Sequence, residues 1–217
     1  MALIYPSLIS GDLLNLRHEI DQFDPICPGY HLDIMDFQFV PNLTWGPAFI
    51  NAIAKATKKK LWVHLMVKNP ADFLAALQLP PQSIVSFHLE NNVDITKTIQ
   101  AISVKKWLPG LSISPKTPIE KSFEFLKDIH QLTIMSVEPG FSGQSFIDAS
   151  IAKIEHLAAY RAAENLKFRI AVDGGINSEN INPTVHAGVD DIAAAAALFN
   201  ANNPVHAYEQ LVKIASK

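Results

Sequence analysis

Short apolar runs recur along the chain at nearly regular intervals, and each is bounded by polar or turn-forming residues. Runs of this kind are typical of buried β-strands. They predict eight strands, at residues 3–7, 30–35, 61–67, 84–88, 108–113, 132–137, 168–173 and 191–195. Between them, apolar residues return every three or four positions, as on one face of a helix, at 13–20, 49–54, 73–77, 119–126, 151–163 and 207–214.

This alternation of strands and helices limits the possible folds. Eight strand–helix units in 217 residues average about 27 residues each, which matches a minimal (β/α)8 barrel. The alternative, an open doubly wound sheet, normally has fewer strands. We therefore predict an α/β fold, a (β/α)8 TIM barrel that forms a single domain over residues 1–217. In such a barrel the functional site lies at the C-terminal ends of the strands.

Composition and charge exclude several classes of partner. The chain has 18 Lys and Arg residues against 21 Asp and Glu residues, and its dense basic run is Lys58-Lys59-Lys60. This balance argues against nucleic acid or a membrane surface as a partner. The longest apolar run, at 192–199, is shorter than the roughly 20 residues of a spanning helix, so we predict a cytoplasmic protein. The single cysteine, Cys27, lies in a proline-flanked segment, where we expect an unreactive thiol.

Polar side chains lie near the ends of three predicted strands. His31 and Asp33 are two residues apart and share one side of the second strand, His64 lies in the third, and Asp173 ends the seventh. Each alone would more often be a hydrogen-bonded polar group of the core. Together, two imidazoles and two carboxylates at one level form a ligand set that suits Zn, Fe(II), Mn or Co. His88 and Glu90, after the fourth strand, could contact substrate or orient a ligand.

Two loops rich in small residues follow the sixth and seventh strands, where barrels of this type hold a phosphate on backbone N–H groups. A missing Cβ lets the backbone approach an anion closely. The loops are Gly140-Phe141-Ser142-Gly143 and Gly174-Gly175.

The order of these motifs identifies a family. The chain resembles the ribulose-phosphate 3-epimerase family along nearly its whole length. The matching strings are Pro6-Ser7-Leu8; His31-Leu32-Asp33-Ile34-Met35-Asp36 with Phe39-Val40-Pro41-Asn42; His64-Leu65-Met66-Val67; Phe87-His88-Leu89-Glu90; Pro115-Lys116-Thr117-Pro118; Met135-Ser136-Val137-Glu138-Pro139-Gly140-Phe141; and Val172-Asp173-Gly174-Gly175-Ile176.

The resemblance implies a function and a ligand set. Residues matching His31, Asp33, His64 and Asp173 bind one divalent metal ion in the family, and the two Asp form the acid/base pair. The implied reaction inverts C3 of a ketose phosphate through an enediolate, converting D-ribulose 5-phosphate to D-xylulose 5-phosphate. Two alternatives stay open: a 3-epimerase for another ketose, such as allulose 6-phosphate, and a non-catalytic homologue that binds metal or sugar phosphate. A homo-oligomer is expected.

The resemblance also assigns contacts to the sugar-phosphate substrate. Three methionines match residues that surround the reaction intermediate in the family, although a role as core filler explains them equally well. The full set expected to contact substrate is Ser7, His64, Met35, Met66, Met135, Gly140, Phe141, Ser142, Gly143, Gly174, Gly175, Ala195 and Ala196.

The chain also departs from the family pattern at several positions. Ala195-Ala196 stands where a Gly-Ser pair usually helps to bind phosphate, and Ser142 replaces a common Gly. Phe37-Gln38 stands where Gly or Asn followed by His is usual, and Ser114-Pro115 where Asn-Pro is usual. We therefore expect the metal ligands and the acid/base pair to be complete and the phosphate site to be altered. A decarboxylase of the orotidine-phosphate type is excluded, because its Asp-x-Lys-x-x-Asp cluster has no counterpart after Asp33.

Overall fold

Eight parallel strands form the centre of the structure, a computed structural model that describes residues 2–216. Neighbouring strands pair in the order β1-β8-β7-β6-β5-β4-β3-β2, and a bridge between Ser7 and His31 joins the two edges. The (β/α)8 barrel predicted from the sequence is confirmed. The strands are β1 (Leu3–Pro6), β2 (Gly29–Met35), β3 (Lys60–Met66), β4 (Ile84–His88), β5 (Leu108–Ile113), β6 (Gln131–Met135), β7 (Arg169–Asp173) and β8 (Asp191–Ala194).

Helices connect the strands and pack on the outside of the barrel. No helix within residues 2–216 is long and apolar enough to span a membrane. The helices are α1 (Leu16–Phe23), α2 (Pro47–Ala56), α3 (Pro70–Ala76), α4 (Ile95–Val104), α5 (Ala149–Ala163), α6 (Ile181–His186), α7 (Ala196–Phe199) and α8 (Pro204–Ala215), with 3-10 helices at Leu8–Ser10 and Ile119–Phe125.

The helices differ from the sequence-based assignment in two respects. The pattern did not predict α4, α6 or α7, because α6 and α7 are very short and α4 is rich in β-branched residues, which favour helices weakly. The α-helix predicted at 119–126 is instead a 3-10 helix, Ile119–Phe125. Two prolines, Pro115 and Pro118, precede it in a short connection, where a tight turn type is common.

Trp62 fills the inside of the barrel below the polar strand ends. It is fully buried and packs edge-on against Tyr5, with ring centroids 5.7 Å apart, and against the ring of His31 at 4.5 Å. The indole N–H donates to the hydroxyl of Ser86 at 3.1 Å, so the polar atom of this large side chain is satisfied. The space beneath the C-terminal ends of the strands is therefore closed by packed side chains.

A buried ion pair occupies the opposite, N-terminal end of the barrel. The carboxylate of Asp191 is fully buried and accepts hydrogen bonds from Arg169 Nε at 2.7 Å and Nη2 at 2.6 Å. It also accepts one from the side-chain amide of Gln131 at 2.9 Å. These three residues come from β8, β7 and β6, and they give the carboxylate the partners that a buried charge requires.

Cys27 lies in the loop between α1 and β2, as the sequence predicts, and its side chain is buried. Burial raises the pKa of the thiol, which keeps it in the unreactive protonated form at neutral pH. This environment agrees with an inert cysteine.

Replacing Asp191 with Ala is expected to lower the free energy of unfolding by about 2–4 kcal/mol, because Arg169 and Gln131 would lose their buried partner. Urea unfolding followed by circular dichroism measures this loss. The control is Asp21→Ala, which removes an ion pair between exposed Arg17 and Asp21 and should change stability very little. Equal losses in the two variants would contradict a structural role for the buried pair.

Candidate active site

Four polar side chains converge at the C-terminal end of the barrel. They are His31 and Asp33 from β2, His64 from β3 and Asp173 from the end of β7. One ligand atom from each residue lies within 4.8 Å of the others. The inward-facing parity of each strand produces this cluster, and the pairing of β2 with β3 places Asp33 directly beside His64.

The cluster is held by short contacts between imidazoles and carboxylates. His64 Nδ1 lies 3.1 Å from Asp173 Oδ2 and 3.3 Å from Asp33 Oδ1. On the other side, the hydroxyl of Ser7 lies 2.9 Å from His31 Nδ1 and donates to Asp33 Oδ2 at 3.3 Å. Ser7, which we expected to contact substrate, therefore also orients two members of the cluster.

Two buried polar atoms of the cluster have no hydrogen-bond partner among residues 2–216. They are His31 Nε2 and Asp33 Oδ1. An unpaired buried acceptor is costly, so native structures usually supply a partner such as an ion. A divalent cation among two imidazoles and two carboxylates would satisfy both atoms. The residues therefore fit the metal ion that the sequence predicts.

The close approach of imidazoles and carboxylates shifts the pKa values of His64 and Asp173. Burial acts to lower the pKa of His64, but the adjacent carboxylates of Asp173 and Asp33 outweigh it and raise the pKa to about 9. Burial acts to raise the pKa of Asp173, but the neighbouring imidazoles of His31 and His64 lower it overall. Without a metal ion, His64 is therefore a proton-carrying partner of the carboxylates, and a cation that takes its lone pair must displace that proton.

A cavity of about 670 Å³ opens above the cluster. Asp33 and Asp173 form part of its wall, while the rings of His31 and His64 are fully buried. The structure therefore places every residue predicted to contact substrate at the cavity wall, with His64 as the exception. The residues at the wall are Ser7, Met35, Met66, Met135, Gly140, Phe141, Ser142, Gly143, Gly174, Gly175, Ala195 and Ala196.

The loop after β7 reaches its conformation only with glycine. Gly174 has a φ of +117°, and a Cβ there would lie 2.4 Å from Val137 Cγ2. Gly175 has a φ of +65°, and its Cβ would lie 2.6 Å from the backbone nitrogen of Phe146. Larger residues at either position would be strained and would push the loop out of place. The shape of this cavity wall therefore requires glycine at both positions.

Comparisons with known proteins agree with this geometry. The model of the ribulose-phosphate 3 epimerase family matches residues 3–199. The chain belongs to this family. It is 36% identical over 208 residues to the cytoplasmic isoform of ribulose-phosphate 3-epimerase from Oryza sativa subsp. japonica, covering 94% of this chain and 90% of that protein. It is also 36% identical to ribulose-phosphate 3-epimerase from Synechocystis sp., covering 92% and 88%.

Solved structures of lower sequence identity share the fold. A crystal structure of KGPDC from Streptococcus mutans superposes with a TM-score of 0.74 at 11% identity, over 99% of this chain and 97% of that one. 3-Hexulose-6-phosphate synthase from Salmonella typhimurium gives a TM-score of 0.71 at 15% identity, over 99% and 98%. These likenesses support the barrel alone. The family assignment itself confirms the epimerase class predicted from the sequence.

Several residues that support the site were missed by sequence reasoning. The hydroxyl of Ser136 donates to the carbonyl oxygens of Gly174 at 2.6 Å and Asp173 at 3.1 Å, so it fixes the end of β7. The side-chain amide of Asn180 donates to the carbonyl oxygen of Gly175 at 2.9 Å, and its oxygen accepts from the backbone N–H of Asn177. The Asn-x-x-Asn spacing after the two glycines is typical of such turns and could have indicated them.

Two departures from the epimerase family pattern have a clear structural setting. Phe37 has a φ of +60° and is largely exposed, in a backbone region where Gly and Asn are preferred. Ser142 forms a hydrogen bond of 2.6 Å with Ser10 across the mouth of the barrel, a contact that a Gly at this position could not make. Both changes lie at the rim, outside the buried cluster.

Glu90 lies just behind the cluster and is strongly hydrogen-bonded. Burial acts to raise the pKa of its carboxyl group, but hydrogen bonds from His88, the hydroxyl of Thr117 and the backbone N–H of Ser114 outweigh it. Together they lower the pKa to about 2 from an ordinary value of 4.5. The folded protein therefore favours the ionised form of Glu90.

This shift predicts a specific acid sensitivity. Because the folded-state pKa of Glu90 is lowered, its contribution to stability is complete above about pH 4.5 and is lost as the pH falls towards about 2. Relative to Glu90→Gln, the free energy of unfolding of the unmodified protein should fall by on the order of 1–2 kcal/mol between about pH 6 and pH 3. Denaturant titrations at each pH measure the difference. Glu120→Gln, at an exposed position, is the control and should follow the unmodified protein.

Proposed function

We propose that this chain inverts the configuration at C3 of a ketose phosphate, with D-ribulose 5-phosphate and D-xylulose 5-phosphate as the interconverted pair. The observation that carries the proposal is the convergence of Asp33 and Asp173, from two non-adjacent strands, on one cavity beside two buried imidazoles. Membership of the ribulose-phosphate 3-epimerase family supports the same reaction.

The reaction requires two proton carriers. One carboxylate removes the proton from C3, and the electron pair of that C–H bond moves towards the neighbouring carbonyl oxygen to give an enediolate. The other carboxyl group donates its proton to the opposite face of C3, which returns the electron pair to carbon with inverted configuration. After one turnover, the carboxylate of the pair Asp33 and Asp173 that began ionised carries a proton, and the other is ionised. The reverse reaction restores the starting states.

The surrounding residues support these transfers in distinct ways. Bound by His31, Asp33, His64 and Asp173, a divalent cation such as Zn, Fe(II), Mn or Co supplies Lewis-acid stabilisation of the negative charge on the substrate oxygens. The thioethers of three methionines line the cavity beside the carboxylates and exclude water without offering an acidic proton. These residues are Met35, Met66 and Met135.

The loops after β7 and β8 are proposed to bind the phosphate group. Backbone N–H groups are effective phosphate donors where side chains do not block the approach. Gly174 and Gly175 keep one loop open, whereas Ala195 and Ala196 add methyl groups and lack a hydroxyl in the other. The proposed site therefore retains backbone donors but has one side-chain donor fewer than the usual Gly-Ser pair.

Proton transfer can be measured directly with metal-loaded protein and ribulose 5-phosphate in D2O, by following the C3–H signal with NMR. We expect exchange in the unmodified protein, its loss after chelation of the metal, and its return when metal is added. Asp33→Asn and Asp173→Asn should each slow exchange by at least about 100-fold, because an amide cannot carry the proton at neutral pH. Thermal unfolding provides the control for folding. Near-normal exchange in either variant would remove that residue from the proposed pair.

The phosphate site gives a second prediction. One hydrogen bond to a charged group contributes roughly 1.5–3 kcal/mol, so restoring the hydroxyl with Ala195→Gly and Ala196→Ser should lower KM about 10- to 100-fold with little change in kcat. Steady-state kinetics with ribulose 5-phosphate measure this effect, and the single change Ala195→Gly separates backbone access from the added donor. An unchanged KM, or a preference of the unmodified protein for another ketose, would favour the alternative substrate.

A further inference from the structure

His88 lies directly behind His64 and is excluded from the cavity. It ends β4, is fully buried and is covered on one side by Phe39, whose ring centroid is 4.8 Å away. Its imidazole stacks on that of His64 at 5.0 Å with an interplanar angle of 20°. The two Nε2 atoms are 3.0 Å apart. His88 therefore acts on His64 and has no direct path to a substrate.

The second nitrogen of His88 determines the direction of these hydrogen bonds. His88 Nδ1 lies 3.1 Å from Glu90 Oε2. An ionised carboxylate only accepts hydrogen bonds, so His88 Nδ1 carries the proton and donates it to Glu90. In a neutral imidazole the nitrogen without the proton is an acceptor, so His88 accepts at Nε2 when its proton is on Nδ1. The proton between the two rings must then belong to His64 Nε2.

This arrangement leaves one nitrogen of His64 for a metal ion. With Nε2 protonated and donating to His88, the available lone pair is on Nδ1, the atom that faces Asp33 and Asp173. A 180° ring flip would put the carbons Cδ2 and Cε1 in the places of Nδ1 and Nε2, and it would break the contacts with the carboxylates and with His88. Hydrogen bonding of the remote nitrogen is a common way in which proteins fix both the tautomer and the orientation of a metal-binding histidine.

Glu90 is in turn held by the loop that follows β5. Its Oε1 accepts from the backbone N–H of Ser114 at 2.7 Å and from the hydroxyl of Thr117. Lys153, on α5, donates to the carbonyl oxygen of Thr117 at 2.7 Å, and also to those of Ser114 and Pro115, in the same loop. The carboxylate of Glu90 is therefore fixed from several directions.

We infer that Glu90 and His88 are positioning residues that set the tautomer and ring orientation of His64 for metal binding. The inference rests on the proposed function only in that the cluster of two His and two Asp binds a divalent cation. It adds that metal affinity depends on two residues that are not themselves ligands. Through these residues, the loop after β5 and Lys153 on α5 are linked to the metal site.

The test compares Zn²⁺ affinity among metal-stripped variants, measured by competition with a chromophoric chelator. His88→Leu removes the acceptor for His64 Nε2–H and should weaken Zn²⁺ binding about 10- to 100-fold. His88→Gln retains an oxygen acceptor and should recover part of this loss. Glu90→Gln should weaken binding by a smaller factor, because its amide oxygen can still accept from His88. Ser112→Ala is the matched control, since Ser112 is buried and pairs with His88 in the β4–β5 register; its affinity should stay within about twofold.

A spectroscopic readout separates positioning from general destabilisation. In Zn²⁺-loaded protein labelled with 15N-histidine, His64 should show a protonated Nε2 and a metal-bound Nδ1, and His88→Leu should alter this signature. Unaltered affinity and His64 signals in His88→Leu and Glu90→Gln would overturn the inference while leaving the proposed function intact. If His88→Leu does not fold, His88→Gln and Glu90→Gln decide in the same way. Failure of the unmodified protein to bind metal would refute the metal-dependent proposal itself, and the inference with it.

Discussion

The burial of two carboxylates and two imidazoles in one small cluster is the constraint on which the rest of this structure depends. Charged groups are costly to remove from water unless each finds close partners. Here Asp33 and Asp173 approach His64 within about hydrogen-bond distance, and the two polar atoms left without partners coincide with the place where a cation fits. All the buried polar atoms of the cluster would therefore have partners only with a cation in place and with the four side chains in this geometry.

The residues around the cluster limit its freedom to relax. Trp62 packs beneath His31, and Ser7 bridges His31 and Asp33 at the point where β1 and β2 close the barrel. Closure of the sheet and orientation of His31 and Asp33 thus depend on the same residue, through its backbone and its hydroxyl respectively. The proposed proton transfer requires a rigid arrangement of this type, because small displacements of a catalytic carboxylate lower its efficiency strongly.

The strands and the convergence of two His and two Asp side chains could be predicted from the sequence because both follow from simple periodicities. Buried runs such as 61–67 mark strands, and the two-residue spacing of His31 and Asp33 places them on one face. Helix α4 was missed because its many β-branched residues weaken the helical signal. Contacts between distant segments, such as Ser136 with Gly174, depend on loop conformation and tertiary packing, which hydrophobic periodicity does not encode.

The ion pair at the N-terminal end of the barrel has a consequence for the chemistry at the other end. Arg169 and Asp173 lie on β7 four residues apart, so they face the same interior. A slip of β7 by one residue would turn both outward, and a slip of two would move Asp173 along the direction of the strand by roughly 6–7 Å. Because Arg169 can form its ion pair with Asp191 in only one of these alignments, the pair favours a single register of β7. The alignment of β7, and with it the height at which its terminal carboxylate stands, is specified by charges at the far end of the same strand.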